Sequence, residues 1–398
     1  MTQLKSAFIP YGKQSLDEDD YKAVVDVLKS NWITQGPKIA EFEKAIADRV
    51  GAKYAVAVAN GTAALHLACL AMDLQPGDEV ITSTNTFVAS ANCITYCGAT
   101  SVLCDIDPHT YNLDPKSVLK TLATHPHPER LKGIIPVHFG GHPCDMQALI
   151  QIAKEHNWFI IEDACHALGA TWKSRTNQSV RVGACHDTDM SIFSFHPVKH
   201  VTCGEGGVVT TNCLEYYEKL MMLRNHGITK SPKYLDKNPG PWYYEMRHLG
   251  YNYRITDIQT ALGLSQLKKL DRFIERRRAI VAKYNEAFQN INVITRPTEN
   301  NGYYSAYHLY VILIDFEKIG KTRAQVINEL ADRGVGTQVH YIPVYEQPYY
   351  KSRWPDSLQK FPNNTFYYDR CLSIPLYPAM DDDQVDTVIK ELIGVVTS

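Results

Sequence analysis

Residues 191–207 read SIFSFHPVKHVTCGEGG, an apolar, aromatic run that ends in Lys199 and then in glycines. A lysine beside buried strands loses solvation. That lowers its pKa and leaves a neutral amine able to form a Schiff base with a carbonyl. Most lysines simply face water, so the segment needs partners before it means anything. NGTAALH at 60–66 offers one: an apolar run stops and Gly61 and Thr62 open a helix. Free backbone N–H groups and the helix dipole there suit a phosphate. A glycine turn followed by a capped helix is the plainer reading. IIEDACHALGA at 160–170 closes a second apolar run with two acids. A carboxylate buried there needs a cationic partner, whereas a solvated strand end needs none. A rival reading uses His138, His142 and Cys144 of HFGGHPC, with Cys165–His166 and Cys185–His186, as metal ligands. Those spacings match no zinc template, and adjacent residues point in different directions, so no metal site is assigned.

The elements needed to position these groups can be read from the surrounding pattern. SLDEDDYKAVVDVLKSN has Ser15 and Glu18 at capping-box spacing ahead of a helical period. PKIAEFEKAIADRVG is a second helix, with Pro37 near its start and Gly51 near its stop. From there short β-rich runs (YAVAVAN, DEVITS, TSVLCDI, KGIIPVH, WFIIEDA) alternate with helical stretches. That order predicts a mostly parallel sheet with helices on both faces. MSIFSF and GVVTTN predict a hairpin around the Lys199 loop. In such sheets ligands bind at the C-terminal ends of strands, where all three candidate stretches fall. Residues 251–288 read as one long bridging helix. Beyond it HLYVILID, KTRAQVINELADRG, VGTQVHY and DQVDTVIKELIGVV predict a small α+β domain, with loops at ENNGYYSAY and across 341–378. The expected division is residues 1–255 and 256–398.

The chain has 398 residues, enough for about two domains. A net charge of −2 gives no electrostatic case for nucleic acid or an anionic membrane, and no apolar run reaches the ~20 residues of a spanning helix. The opening residues lack a charged-then-apolar export pattern, and the ten cysteines are scattered, so a cytoplasmic protein with free thiols is expected. No G-x-G-x-x-G follows the first strand, which argues against a dinucleotide-binding domain.

Phosphate cup, strand-end acid, then a lysine about 35 residues on is the order of fold-type I enzymes of pyridoxal 5′-phosphate (PLP). The sequence resembles the DegT/DnrJ/EryC1/StrS family of sugar aminotransferases. The likeness runs through TQGPKIAEFEKAIADRVGAKYAVAVANGTAALHLA, PGDEVITSTNTFVASANCITYCGA, IIEDACHALGA, SIFSFHPVKHVTCGEGGVVTTN, LRNHGI, LGYNYRITDIQTALGLSQLKKL and VGTQVHYIPVY. Within the family it is most similar to enzymes that aminate a UDP-linked 4-keto-6-deoxy-N-acetylhexosamine with glutamate in pseudaminic acid biosynthesis. The resemblance implies an aspartate aminotransferase-like fold, large domain plus smaller C-terminal α+β domain, and a homodimer with shared sites. It implies Lys199 as the Schiff-base and proton-carrying residue and Asp163 as partner of the cofactor's pyridine nitrogen. Gly61, Thr62 and Ser194 would hold the phosphate, Phe87 would stack on the ring, and His166 would orient the ring or the acid. Asn252 would reach the phosphate of the neighbouring subunit. Tyr11, Asn31, Trp32, Ile33, Thr34, His340, Tyr341, Ile342 and Pro343 correspond to substrate positions. Relatives with histidine at the lysine position remove a hydroxyl instead, so Lys199 argues against a dehydratase. A related aminotransferase for another keto-sugar, of perosamine or aminoarabinose type, and a non-catalytic PLP-fold sensor are the competing expectations.

Overall fold

The computed structural model describes residues 8–352 and 360–397. Helix α1 (Glu18–Leu28) begins later than the Ser15–Glu18 spacing predicts. Asp17 is the cap: its side chain accepts from the Asp19 N–H, and the Asp20 carboxylate accepts from the Asp17 N–H at 3.0 Å. A carboxylate meets the helix dipole with a full charge, which a serine cannot do. Helix α2 (Pro37–Val50) follows the sequence reading, with Pro37 in its first turn and Gly51 closing it at φ +86°. The first N–H groups of α2 are satisfied from far away: Asp257 accepts from Gly36 N–H at 2.8 Å and Lys38 N–H at 2.9 Å.

Seven strands form the main sheet: β1 (Tyr54–Val58), β2 (Glu79–Ser83), β3 (Thr100–Cys104), β4 (Leu131–Ile135), β5 (Phe159–Asp163), β8 (Met190–Ser194) and β9 (Gly207–Thr211). Their order across the sheet is β1-β9-β8-β5-β4-β2-β3. Between β5 and β8 in sequence, β6 (Thr171–Lys173) and β7 (Ser179–Arg181) make a separate hairpin. Neighbours from β3 through β8 are parallel, and β9 runs antiparallel to both β8 and β1. The expected β8–β9 hairpin is present, with Ser194 opposite Gly207, so the Lys199 loop is the turn between two paired central strands.

Helices cover both faces. Helix α3 (Gly61–Ala71) is buried almost all round, as its mostly small and apolar residues require. It packs on helix α4 (Ala89–Tyr96) on one face with Val56, Val58, Leu65 and Leu67, while Phe42, Ile46, Phe193 and Phe195 fill the other face. After α5 (Pro115–Thr124), α6 (Met146–His156) and α7 (Leu214–Leu223), the predicted long helix is two: α8 (Asp257–Leu267) and α9 (Leu270–Phe288), broken at Lys268–Lys269. The Lys269 ammonium is drawn to Asp17 and Asp20 of α1, which fixes α8 against α1 and α2 before α9 departs.

Beyond the short pair β10 (Ile228–Thr229) and β11 (Glu245–Met246), a second core lies around the small sheet β12 (Ile294–Thr295), β13 (Tyr310–Ile314) and β14 (Cys371–Ile374), covered by α9, by Arg323–Asp332 and by Asp382–Thr397. Two expectations fail here. VGTQVHY forms no continuous strand, only isolated bridges from Val335 to Ile9 and from Gln338 to Ser373. The stretch 341–378, expected as loops, contains helix Pro362–Arg370 and strand β14. Most of the tyrosines placed in it are buried, Tyr367 and Tyr345 at 1 % exposure, whereas Tyr349 faces outward. Ile9, expected with the first domain, packs in this second core and pairs with Val335. Among the described residues no helix is long and apolar enough to cross a membrane.

Candidate active site

Strand β5 ends in Glu162 and Asp163, and successive strand side chains point to opposite faces. Glu162 accepts hydrogen bonds from Thr188 (2.7 Å) and Ser191 (2.7 Å) and pairs with His138 Nε2 at 2.9 Å. Burial works to raise its pKa, but these bonds outweigh it and hold the carboxyl below its usual value. Asp163 faces the other side. It is 5 % exposed, and its carboxylate accepts from Ser90 Oγ at 2.6 Å and from the Cys165 N–H at 3.2 Å. Ser90 sits in the first turn of α4, just after Phe87.

Where β1 ends, Asn60 caps α3 by accepting from the Ala63 N–H at 2.8 Å. That leaves the N–H groups of Gly61 and Thr62 free for a ligand among the described residues. Space at Gly61 is tight: a Cβ there would lie 3.0 Å from Ser194 Cβ and 3.3 Å from Cys165 Sγ. Lys199 lies in the β8–β9 turn, its N–H bonded to the His196 carbonyl at 2.9 Å. Burial lowers the pKa of its amine, partly opposed by Cys165 and by the Asp163 carboxylate.

These pieces meet in one cavity of about 870 Å³. Gly61, Thr62, Phe87, Asp163, His166, Ser194, Lys199, Tyr11, His340 and Tyr341 all line it. His166 is held at both ring nitrogens: Nδ1 accepts from the Gly140 N–H at 3.3 Å and Nε2 is 3.2 Å from the Tyr341 hydroxyl. His340 Nδ1 is 2.7 Å from Ser373 Oγ, and burial, then Lys199, pull its pKa down to about 3. The other expected residues lie outside this lining. Asn252 is exposed and bridges Asn225 by its backbone. Trp32 lines a separate groove beside α1, α2 and α8, and its chain neighbours Asn31, Ile33 and Thr34 are likewise absent from the cavity lining. Ile342 is exposed, and Pro343 leads into the turn at 344–346.

Several lining residues were not expected from the sequence, among them His66, Tyr96, His196, Glu205, Tyr253 and His308. Tyr253 had a signal: it adjoins Asn252 in an extended segment, where neighbouring side chains diverge. His66 falls inside the helix opening NGTAALH with no signal of its own, and its Nδ1 is 3.2 Å from the Tyr253 hydroxyl. His308 arrives from the small sheet's lead-in and had no local signal. The proposed metal ligands are used otherwise. His138 pairs with Glu162, and its Nδ1 accepts from the Cys144 N–H at 3.1 Å. Among the described residues no three His, Cys, Asp or Glu side chains cluster as a metal site.

Residues 14–393 match the model of the DegT/DnrJ/EryC1/StrS aminotransferase family. The chain belongs to that family. It is 43 % identical over 397 residues to the spore coat polysaccharide biosynthesis protein SpsC of Bacillus subtilis, covering 100 % of this chain and 99 % of that one. The Helicobacter pylori aminotransferase PseC, involved in the biosynthesis of pseudoaminic acid, superposes with a TM-score of 0.88 at 29 % identity, covering 98 % of this chain and 99 % of PseC. The PLP-form of the putative sugar aminotransferase Spr1654 from Streptococcus pneumoniae gives 0.87 at 30 % identity, over 98 % and 99 % of the two chains. The protein is thus a sugar aminotransferase that uses PLP. The residues fit that cofactor: open N–H groups beside a glycine with little room for a Cβ, a buried carboxylate, and an amine whose pKa burial lowers. When bound, PLP supplies an electron sink for the carbon that exchanges its amino group.

Proposed function

We infer that the enzyme moves an amino group from glutamate to C4 of a nucleotide-linked 4-keto-6-deoxy sugar, a UDP-linked N-acetylhexosamine as in pseudaminic acid biosynthesis. The observation that carries the reading is the convergence of Lys199, Asp163 and the open N-terminus of α3 on a single cavity. Lys199 Nζ, kept from permanent charge by burial, takes and returns the proton at the reacting carbon. Asp163, fixed by Ser90, presents a negative charge to the pyridine nitrogen. Gly61, Thr62 and Ser194 hold the phosphate, Phe87 covers the ring, and His166 orients it.

Beside Lys199 and Asp163 the lining carries one more charged side chain, Glu205. Tyr11, Tyr341, His166 and His340 offer hydrogen bonds without charge, which suits a hydroxylated, acetamido-bearing ring. No arginine lines the cavity among the described residues. The carboxylates of glutamate and the diphosphate of the nucleotide therefore need partners from elsewhere, which supports a homodimer with shared sites. The same stretch of chain that carries Asn252 leaves Trp242, Tyr244, Met246 and Leu249 exposed, an apolar face that a second copy would cover. Asn252 then serves the neighbour's phosphate, and the Asn31–Thr34 and His340–Pro343 segments frame the substrate. A cytoplasmic location agrees with free thiols at all ten cysteines.

A second reading, amination of a different nucleotide keto-sugar, is favoured by the higher identity to SpsC than to PseC. One experiment separates them. The enzyme is converted to its aminated-cofactor form with glutamate and challenged with a panel of nucleotide 4-keto and 3-keto sugars. Return of the lysine-bound cofactor's absorbance with the UDP-linked 4-keto-6-deoxy-N-acetylhexosamine alone supports the first reading. Return only with another sugar sinks it.

A further inference from the structure

Arg277, on α9, is 1 % exposed. A guanidinium taken out of water is costly unless a carboxylate answers it, and among the described residues none does. Its Nη1 instead donates to the carbonyls of Leu376 (2.7 Å), His308 (3.2 Å) and Tyr307 (3.4 Å), and its Nε has no hydrogen-bond partner among the described residues. Arg277 thereby draws together α9, the turn leading into β13 and the stretch after β14. The turn is tight: Tyr307 has φ +46°, and its N–H donates to Ser305 Oγ at 3.1 Å.

What the clamp holds is part of the cavity wall. The His308 ring lies against His166, centroids 4.4 Å apart, and 5.6 Å from His200. His166 can accept from the Gly140 N–H only while Nδ1 is unprotonated, so its orientation and its tautomer are set together. We propose that Arg277 is a positioning residue for the transamination: by fixing the His308 backbone it holds the His308 ring against His166 and keeps His166 facing the cavity. The kinetic part of this inference rests on the aminotransferase reading; the geometric part does not.

The charges around the wall act in the same direction. His308 is kept well below the usual imidazole value by burial first, then by Lys199, His166, His200 and Arg277. His166 is lowered by burial, Lys199, His340 and His200, and His200 falls to about 3 through burial and then Arg277. Burial brings Arg277 itself down to about 9, so it is still charged at neutral pH. Protonation of His166 and His308 is thus opposed first by burial, and at His308 also by the charge of Arg277, so the Gly140 N–H keeps its acceptor.

The test uses full-length holoenzyme carrying Arg277→Met or Arg277→Lys, with ¹⁵N-labelled histidine. Arg277→Met should lose about tenfold in kcat, with the sugar KM little changed. The acid limb of its pH–rate profile should move to higher pH, because the positive potential that disfavours imidazolium is gone. Arg277→Lys keeps the charge and should restore the acid limb while recovering only part of kcat. The imidazole ¹⁵N spectrum of His166 reads its tautomer without any turnover, and should lose its single Nε2-protonated signature in Arg277→Met. Were Arg277 merely a structural clamp, Tm would fall while kcat per bound cofactor, acid limb and His166 signature stayed at wild-type values; that result overturns the proposal. If Arg277→Met does not fold, His308→Phe and His308→Ala decide. The phenyl ring should preserve the His166 signature and the alanine should lose it, and equal signatures overturn the proposal. A wild-type enzyme inactive on every keto-sugar would count against the function, while the spectra would still decide the positioning.

Discussion

Gly61→Ala isolates the phosphate cup. The new methyl would lie 3.0 Å from Ser194 Cβ and 3.3 Å from Cys165 Sγ, so the first turn of α3 has to move by a few tenths of an ångström. The fold itself should tolerate this. Gly61 is not at positive φ, and alanine recovers up to about 1 kcal/mol of helix propensity against the strain. The phosphate should not tolerate it. Hydrogen bonds to a charged group contribute about 1.5–3 kcal/mol each. If the two open N–H groups each lose about half of that, affinity falls by roughly 1.5–3 kcal/mol, or about 10- to 100-fold. The comparison is best made in a Lys199→Ala background, where no covalent bond hides the change. PLP titration of Lys199→Ala and Gly61→Ala/Lys199→Ala, by absorbance and fluorescence, gives the two dissociation constants. Equal constants in the two proteins would refute the assignment of the phosphate to this helix terminus.

Lys199→Ala alone should still bind PLP but show no measurable turnover, so transamination at near wild-type rate would remove it from the chemistry. The two neighbouring acids should behave oppositely. Asp163→Asn should keep the wild-type Tm and lose on the order of a hundredfold or more in kcat, as expected when a charge aimed at the reacting system is removed. Glu162→Gln should keep most of kcat per folded site yet lose about 3 kcal/mol of stability, because it breaks a buried, triply bonded carboxylate. Since the Glu162 carboxyl is held low, its contribution is present above about pH 4.3 and disappears as pH falls further; wild type and Glu162→Gln should converge in Tm under acid. Mixing Lys199→Ala with Asn252→Ala and allowing subunit exchange should recover about a quarter of wild-type activity. Activity equal to the mean of the two parents would place Asn252 in its own chain's site or in none.

The parts of this molecule legible in the sequence are those where local signals agree with long-range contacts. Pro37 and Gly51 bound α2 because each backbone position suits only a few residue types. The β8–β9 hairpin was legible because two β-rich runs flank a glycine-containing turn, and that hairpin brought Lys199 to the cavity. The misreadings have distant causes. The break between α8 and α9 depends on acids of α1, more than 240 residues earlier. Strand β14 hides in a tyrosine-rich, proline-rich stretch that reads as loop until its rings are seen packed in a core. His308 and Arg277 had no local pattern, because each is defined by carbonyls and rings contributed from other segments.

A strand presents two sides, and β5 commits both at its last two positions. A one-residue slip of that strand would therefore do more than misplace an acid: it would carry the scaffold's anchor into the reaction chamber and send the reacting carboxylate down among Thr188, Ser191 and His138. Surface loops elsewhere can gain or lose residues without such an exchange. Deletions or insertions between Phe159 and Asp163 should thus be the least forgiving length changes in the chain. Anyone grafting this chemistry onto another sheet has to transplant the polar underside of the strand together with the groups above it.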